Sequence, residues 1–285
     1  MNRPISLAAL TALELSPPDL VSTAAAAGYT HVGLRLIAAT PNEPQHPMVG
    51  DTPMVRETRA RLDATGVQVL DVEILRLKPD TKVEHDYRPA IETGAWLGAK
   101  HLLVAGNDAD EARLTDRFAE LCDLAARYGM AAHLEFMSWT DAKDLPQAAR
   151  IVERAARPNG CILVDAFHLS RSHSRVDDIA RLPASRFRYA QLCDAPAAVP
   201  ATTEDILFEA RAERRFPGEG ELDLVALVRA LPAGIPLALE IPTHTLAKST
   251  TALERARLAL AGARGVLARA EHDAPRARTA TTASR

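Results

Sequence analysis

Apolar and polar positions along the chain sort into two alternating kinds of segment. Short aliphatic runs stand at about 4–10, at HVGLRL (31–36), VQVLDVEIL (67–75), HLLVAG (101–106), AAHLEF (131–136), CILVDAF (161–167), FRYAQLCD (187–194) and PLALEIP (236–242). Their length and their content of Val, Ile and Leu predict buried strands. Between them lie stretches with apolar residues at helical spacing, at 19–28, 52–66, 111–129, 145–156, 223–231 and a closing one at 249–270. Gly28, Gly66 and Gly129 each stand shortly before the next strand, where a helix C-terminus favours glycine. Eight strands, each followed by a helix, predict one α/β domain, a (β/α)8 TIM barrel over residues 1–270. A doubly wound sheet is the alternative, but no G-x-G-x-x-G follows an early strand.

Two stretches break the alternation. Residues 195–222 are too long for an ordinary strand-to-helix connection, and such loops at the catalytic face of a barrel often close over substrate. Residues 271–285 are polar and unpatterned, and are expected to form a disordered tail.

Composition narrows the function classes. The chain has 285 residues, 47% apolar and only 4% aromatic, with a formal charge of −3. A mildly acidic chain does not suit a protein built to coat phosphate backbones, so no nucleic-acid partner is expected. No apolar run approaches the ~18 residues of a membrane span, so none is expected there either. The N-terminal ISLAALTALEL contains Glu14 and reads as the first strand and its loop rather than a signal segment. Cys122, Cys161 and Cys193 have no CxxC spacing and suit a reducing, cytoplasmic compartment.

Acids and amides cluster where the strands end, which in a barrel is the catalytic face. Strand five ends on Glu135, strand six on Asp165 with His168 three residues later, strand seven on Gln191 and Asp194, and strand eight on Glu240. Converging carboxylates in apolar runs are costly unless a cation compensates them. Glu135, Asp165 and Glu240, with the Gln191 carbonyl as a fourth donor, form an all-oxygen set suited to Mg²⁺ or Mn²⁺, with Co²⁺ or Zn²⁺ as softer alternatives. Asp165 alone could equally be a helix N-cap. Glu73 and Arg76 at the end of strand three either touch substrate or pair with each other. Arg211 and Arg214 are either pocket residues or solvated charges on the loop. His133 reads as a core histidine bonded to Asp71, and Cys193 as a small core residue.

Together these residues resemble the xylose-isomerase-like barrel superfamily, which includes sugar isomerases, epimerases, inosose dehydratases and 3-dehydroshikimate dehydratases. The resemblance covers most of residues 5–265. In that family a Glu on strand five, an Asp on strand six, a His or Gln on strand seven and a Glu on strand eight bind the metal, which falls on Glu135, Asp165, Gln191 and Glu240. The family's substrate-contacting His falls on His168, and its loop signature resembles RRFPGEGELDL (214–224). Gln rather than His at 191, with DAFH (165–168), AQLCDAP (190–196) and RFPGEGELD (215–223), is similar to the 3-dehydroshikimate dehydratases. Strand two departs from the family, with Gly33 and Arg35 where an acid is common.

The resemblance implies a metal-dependent isomerase or epimerase that moves a proton α to a carbonyl of a small polyhydroxylated substrate. Glu135 and Glu240 would carry the proton, while His168, Arg211, Arg214, Glu73 and Arg76 would hold the substrate. A dehydratase using the same enediolate chemistry is the alternative. A DNA-repair endonuclease and a non-catalytic binding barrel are remoter alternatives, the first needing more zinc-binding histidines and a basic groove. The sequence leaves the oligomeric state open, with a homodimer or a tetramer both compatible.

Overall fold

The computed structural model describes residues 3–272. Eight parallel strands close into a barrel in chain order: β1 (Ile5–Leu7), β2 (His31–Arg35), β3 (Gln68–Leu77), β4 (His101–Gly106), β5 (Ala131–Glu135), β6 (Gly160–Asp165), β7 (Ala190–Leu192) and β8 (Leu237–Leu239). The helices are α1 (Pro17–Ala27), α2 (Pro53–Thr65), α3 (Val83–Leu97), α4 (Glu111–Ala126), α5 (Leu145–Ala155), α6 (Ala166–Arg171), α7 (Val176–Ile179), α8 (Thr203–Ala212), α9 (Leu224–Ala230), α10 (His244–Ala247) and α11 (Ala252–His272). Gly28 and Gly66 cap α1 and α2 in the left-handed conformation, at φ 92° and 73°. The closing helix runs to His272, past the sequence-predicted boundary at 270. The remainder of the expected tail lies outside the described residues.

Strand alternation divides the apolar residues between two cores. On β4, Leu102 and Val104 join the large cluster between sheet and helices, whereas Leu103 and Ala105 join a small cluster with Leu70, Leu163, Tyr189 and Ala238. The second set fills the barrel interior, and the same parity carries the polar strand ends. On β5, Glu135 alternates with Leu134, on β6 Asp165 with Val164, and on β7 Gln191 with Leu192. Glu135 pairs with Leu163, and Asp165 pairs with Gln191, one pleat further along β6. That stagger is the shear of an eight-stranded barrel with tilted strands, and it brings these side chains to one level across the axis.

The connection after β7 is not a plain loop. It contains α8, which the sequence reading placed inside a loop, capped at its start by Thr202 accepting from the Asp205 amide. A buried ion pair fastens this helix to α6. Arg171 donates Nη2–H bonds of 2.8 Å to both carboxylate oxygens of Glu209, an Nη1–H bond of 3.1 Å to the Pro196 carbonyl, and stacks over the Phe167 ring. The Arg171 side chain has no exposure and Glu209 has 13%. Removing one member leaves a buried charge unpaired, which costs about 3 kcal/mol or more. Glu209→Ala should therefore lose about that much in urea unfolding at unchanged m-value. Combining it with Arg171→Met should recover most of the loss.

Candidate active site

Each polar strand end is fixed locally before it meets the others. Asp165 caps α6: its Oδ1 accepts from the amides of Phe167 at 2.7 Å and His168 at 3.1 Å. The N-cap reading is thus compatible with the site reading, because the cap engages Oδ1 and leaves Oδ2 to face Arg214. Glu240 follows β8, where the Thr11 hydroxyl donates to the Leu239 carbonyl at 2.7 Å and accepts from the Ile241 amide at 2.8 Å. This clamp brackets Glu240 through a residue 230 positions from Ile241 in the chain. No sequence pattern marked Thr11.

Glu135, Asp165 and Glu240 are buried, and each offers an oxygen within 4.8 Å of the others. Gln191, also buried, donates Nε2–H to Glu240 Oε1 at 3.2 Å. Arg214 bridges the group, with Nη1 2.9 Å from Asp165 Oδ2 and Nη2 3.0 Å from Glu240 Oε2. His168 Nε2 stands 3.6 Å from Glu135 Oε1, too long for a hydrogen bond. Burial is the first cause of the shifts of Glu135, Glu240 and His168. It raises Glu135 well above the carboxylate range, reinforced by Glu240 and Asp165, and lifts Glu240 to about 7. It also holds His168 down to about 3, so that imidazole is neutral.

These residues fit a divalent cation by two observations. Glu135 Oε1 and Gln191 Oε1 are buried without a hydrogen-bond partner among the described residues, although both are good oxygen donors to a metal. Three mutually repelling carboxylates meet one arginine, and ionised together they would carry a net negative charge that a divalent ion would neutralise.

A narrow cavity of about 60 Å³ opens beside the cluster, lined by Glu135, Glu240, His168, Arg214, Arg76 and Arg211, together with Arg35, Glu43 and Trp139. Several expectations are corrected there. Glu73 and Arg76 do not pair. Arg35 Nη2 lies 3.2 Å from Glu73 Oε1, and Arg76 donates to the Asn107 side chain at 3.2 Å. Glu73 is buried and is not part of the cavity wall. Arg211 is exposed at the cavity and makes no hydrogen bond or ion pair among the described residues. Arg214 is no surface charge, since its guanidinium is buried against the carboxylates. His133 bonds His101 at 3.0 Å rather than Asp71. At strand two, a Cβ on Gly33 would come within 2.9 Å of Asp71 Oδ1, so that carboxylate would have to shift.

Arg35, singled out in strand two, lies in the wall, whereas Glu43 and Trp139 were missed, although Trp139, in contact with the His168 ring at 5.0 Å, follows Glu135 closely in the chain. It named Asp194 without a role. The Asp194 carboxylate accepts from the amides of Ala195, Gly218 and Leu222 at 2.9, 2.9 and 3.1 Å, folding the FPGEGEL loop around itself. Gly218 takes φ 93°, and a Cβ on Gly220 would run into the Asp194 carboxylate and the Ala195 carbonyl. This pinned loop fixes the C-terminal side of the arm that carries Arg211 and Arg214.

Comparison with known proteins agrees with this fold. The family model of the xylose isomerase-like TIM barrel matches residues 21–265. The 3-dehydroshikimate dehydratase of Pseudomonas aeruginosa is 30% identical over 154 residues, 51% of this chain but 24% of that protein, and its Pseudomonas putida counterpart matches to the same extent. The chain thus spans about a quarter of the length of the curated relatives it matches. Among solved structures, the IOLI protein with a bound zinc atom superposes with a TM-score of 0.75 at 19% identity, covering 93% of this chain and 98% of that one. D-allulose 3-epimerase from Methylomonas sp. in complex with D-allulose gives 0.67 at 16% identity, over 92% and 97%. At such identities the structural likeness is one of fold. With the family model spanning most of the barrel, the chain belongs to the xylose isomerase-like TIM barrel family.

Proposed function

We propose that the protein is a divalent-metal-dependent lyase that dehydrates a small polyhydroxylated ketone bearing a carboxylate, of the 3-dehydroshikimate type. One observation carries this reading. The cavity beside the carboxylate cluster is lined by two guanidiniums, Arg76 and Arg211, that no carboxylate of the described residues engages in an ion pair. Burial and the nearby Arg211 lower the pKa of Arg76, a strain that an anionic group on the substrate would relieve. The partial match to 3-dehydroshikimate dehydratases and the glutamine at 191 support the same substrate class.

A divalent ion held by Glu135, Asp165, Gln191 and Glu240 would supply positive charge to the substrate's carbonyl oxygen. In its ionised form Glu135 takes the proton from the carbon α to that carbonyl. The freed electron pair forms the enolate, then the new C=C bond as the β-hydroxyl leaves. A proton from Glu240, held near neutrality by burial, goes to the departing oxygen and releases water. Neutral His168 and the Trp139 ring bound the cavity and orient hydroxyls. The buried thiols of Cys122, Cys161 and Cys193 are all free, which fits a cytoplasmic setting.

Isomerisation or epimerisation of a neutral sugar is the second reading, favoured by the two glutamates that face one cavity and by the likeness in fold to D-allulose 3-epimerase. Return of the proton to carbon, instead of loss of the hydroxyl, separates the two outcomes. Screening the Mn²⁺-loaded protein against 3-dehydroshikimate, inososes and ketohexoses, by ultraviolet absorbance and epimer analysis, decides between them. Conversion of ketohexoses alone would overturn the lyase reading.

Three further outcomes follow from the geometry. The protein should bind about one Mn²⁺ or Mg²⁺ per chain, and its metal-free stability should depend on pH. Glu240 has a folded pKa of about 7 against an ordinary 4.5, so its contribution is fully present below pH 4.5 and is lost as pH rises to 7. Saturating Mn²⁺ should flatten that slope in thermal unfolding. Glu135→Gln and Glu240→Gln should each lower kcat by about 10²-fold or more with the fold retained. Arg211→Ala should raise KM for a carboxylate substrate by tenfold or more, in line with the ~1.5–3 kcal/mol of a charge-assisted bond. On a neutral sugar it should change little.

A further inference from the structure

We propose that Arg214 is the resident cation of the carboxylate cluster, competing with the divalent metal for Asp165 Oδ2 and Glu240 Oε2 and turning toward the cavity when the metal loads. This rests on reading the cluster as a metal site. The oxygen inventory carries it. Asp165 has committed Oδ1 to the α6 cap, so Oδ2 is the oxygen it can offer inward, and Arg214 Nη1 holds that oxygen at 2.9 Å. Glu240 Oε1 accepts from Gln191, and its Oε2 lies 3.0 Å from Arg214 Nη2. Two of the three carboxylates thus present their inward oxygens to a guanidinium. A guanidinium and a divalent ion on the same oxygens repel strongly, because the site is buried and screening is weak.

Arg214 is held by more than the carboxylates, and its Nη1 also donates to the Glu240 carbonyl at 3.2 Å. Its Nε–H donates to the Ala210 carbonyl at 2.8 Å and its guanidinium lies 5.0 Å from the Phe167 ring centre, contacts independent of the carboxylates. The guanidinium is planar, so leaving the cluster turns the whole fork about its aliphatic stem and gives up the Ala210 bond as well. Arg214 already lines the cavity, beside Arg211. Released from the cluster, its fork would meet a carbonyl or carboxylate oxygen of whatever fills that cavity. Metal loading and completion of the anion pocket would be coupled through one side chain.

The test is Mn²⁺ binding, followed by electron paramagnetic resonance of the free ion, and thermal unfolding of wild type, Arg214→Gln and Arg214→Lys. Removing the competing charge should tighten the Mn²⁺ Kd of Arg214→Gln by about tenfold or more. Its metal-free form should melt below wild type, and Mn²⁺ should raise its melting temperature by a larger increment. Arg214→Lys, which keeps a charge but cannot span both oxygens, should fall between the two. Should Arg214→Gln fold only in Mn²⁺, that rescue supports the competition. Failure to fold even in saturating Mn²⁺, or unchanged or weaker binding in either variant while wild type binds, would show that Arg214 organises the ligands and would overturn it. No Mn²⁺ binding by wild type would remove the metal reading itself, and this proposal with it.

Discussion

Inside this barrel, carboxylates are held out of water at close range. Glu135, Asp165 and Glu240 share one cluster, with Asp71 and Glu73 also buried in the interior. Burial and mutual repulsion raise the pKa of most of them, so each needs a cation, a proton or a donor. The compensation is specific to place. Arg214 spans Asp165 and Glu240, Arg35 stands between Glu73 and Glu43, and the α6 cap takes one oxygen of Asp165. Much of the surrounding architecture keeps those two arginines where the charges require them.

The long segment after β7 illustrates this. It is a braced arm rather than a loose loop. The Arg171–Glu209 pair ties α8 down on one side, and the Asp194 carboxylate gathers the amides of the glycine-rich turn on the other. Between these braces the chain delivers Arg211 to the cavity and Arg214 to the carboxylates. Rigid support of this kind matters because a guanidinium displaced by an ångström loses the bidentate geometry that distinguishes arginine from a diffuse positive charge.

The cavity pairs an acidic floor with a basic wall, and that polarity has chemical content. A proton leaves carbon most easily where the resulting charge is met by fixed positive groups and the base is itself desolvated. Relatives and structural neighbours include dehydratases and epimerases, so the fold alone does not choose the reaction. In this chain the wall carries Arg76 and Arg211, together with Trp139, which meets the His168 ring.

The sequence by itself determined the barrel and the identity of its polar strand ends. Period-two alternation within aliphatic runs, and glycines ending helices, are local signals, and local signals survive in a linear reading. Glu135, Asp165, Gln191 and Glu240 were legible because each interrupts an apolar run where a barrel strand must stop. Pairings across the barrel were not legible. Whether Glu73 meets Arg76 or Arg35, whether His133 meets Asp71 or His101, and whether Arg214 is solvated or buried depend on strand tilt and ring closure, which bring together residues far apart in the chain. Thr11 is the clearest case, a lone hydroxyl near the N-terminus that brackets Glu240 only because β1 and β8 meet when the barrel closes.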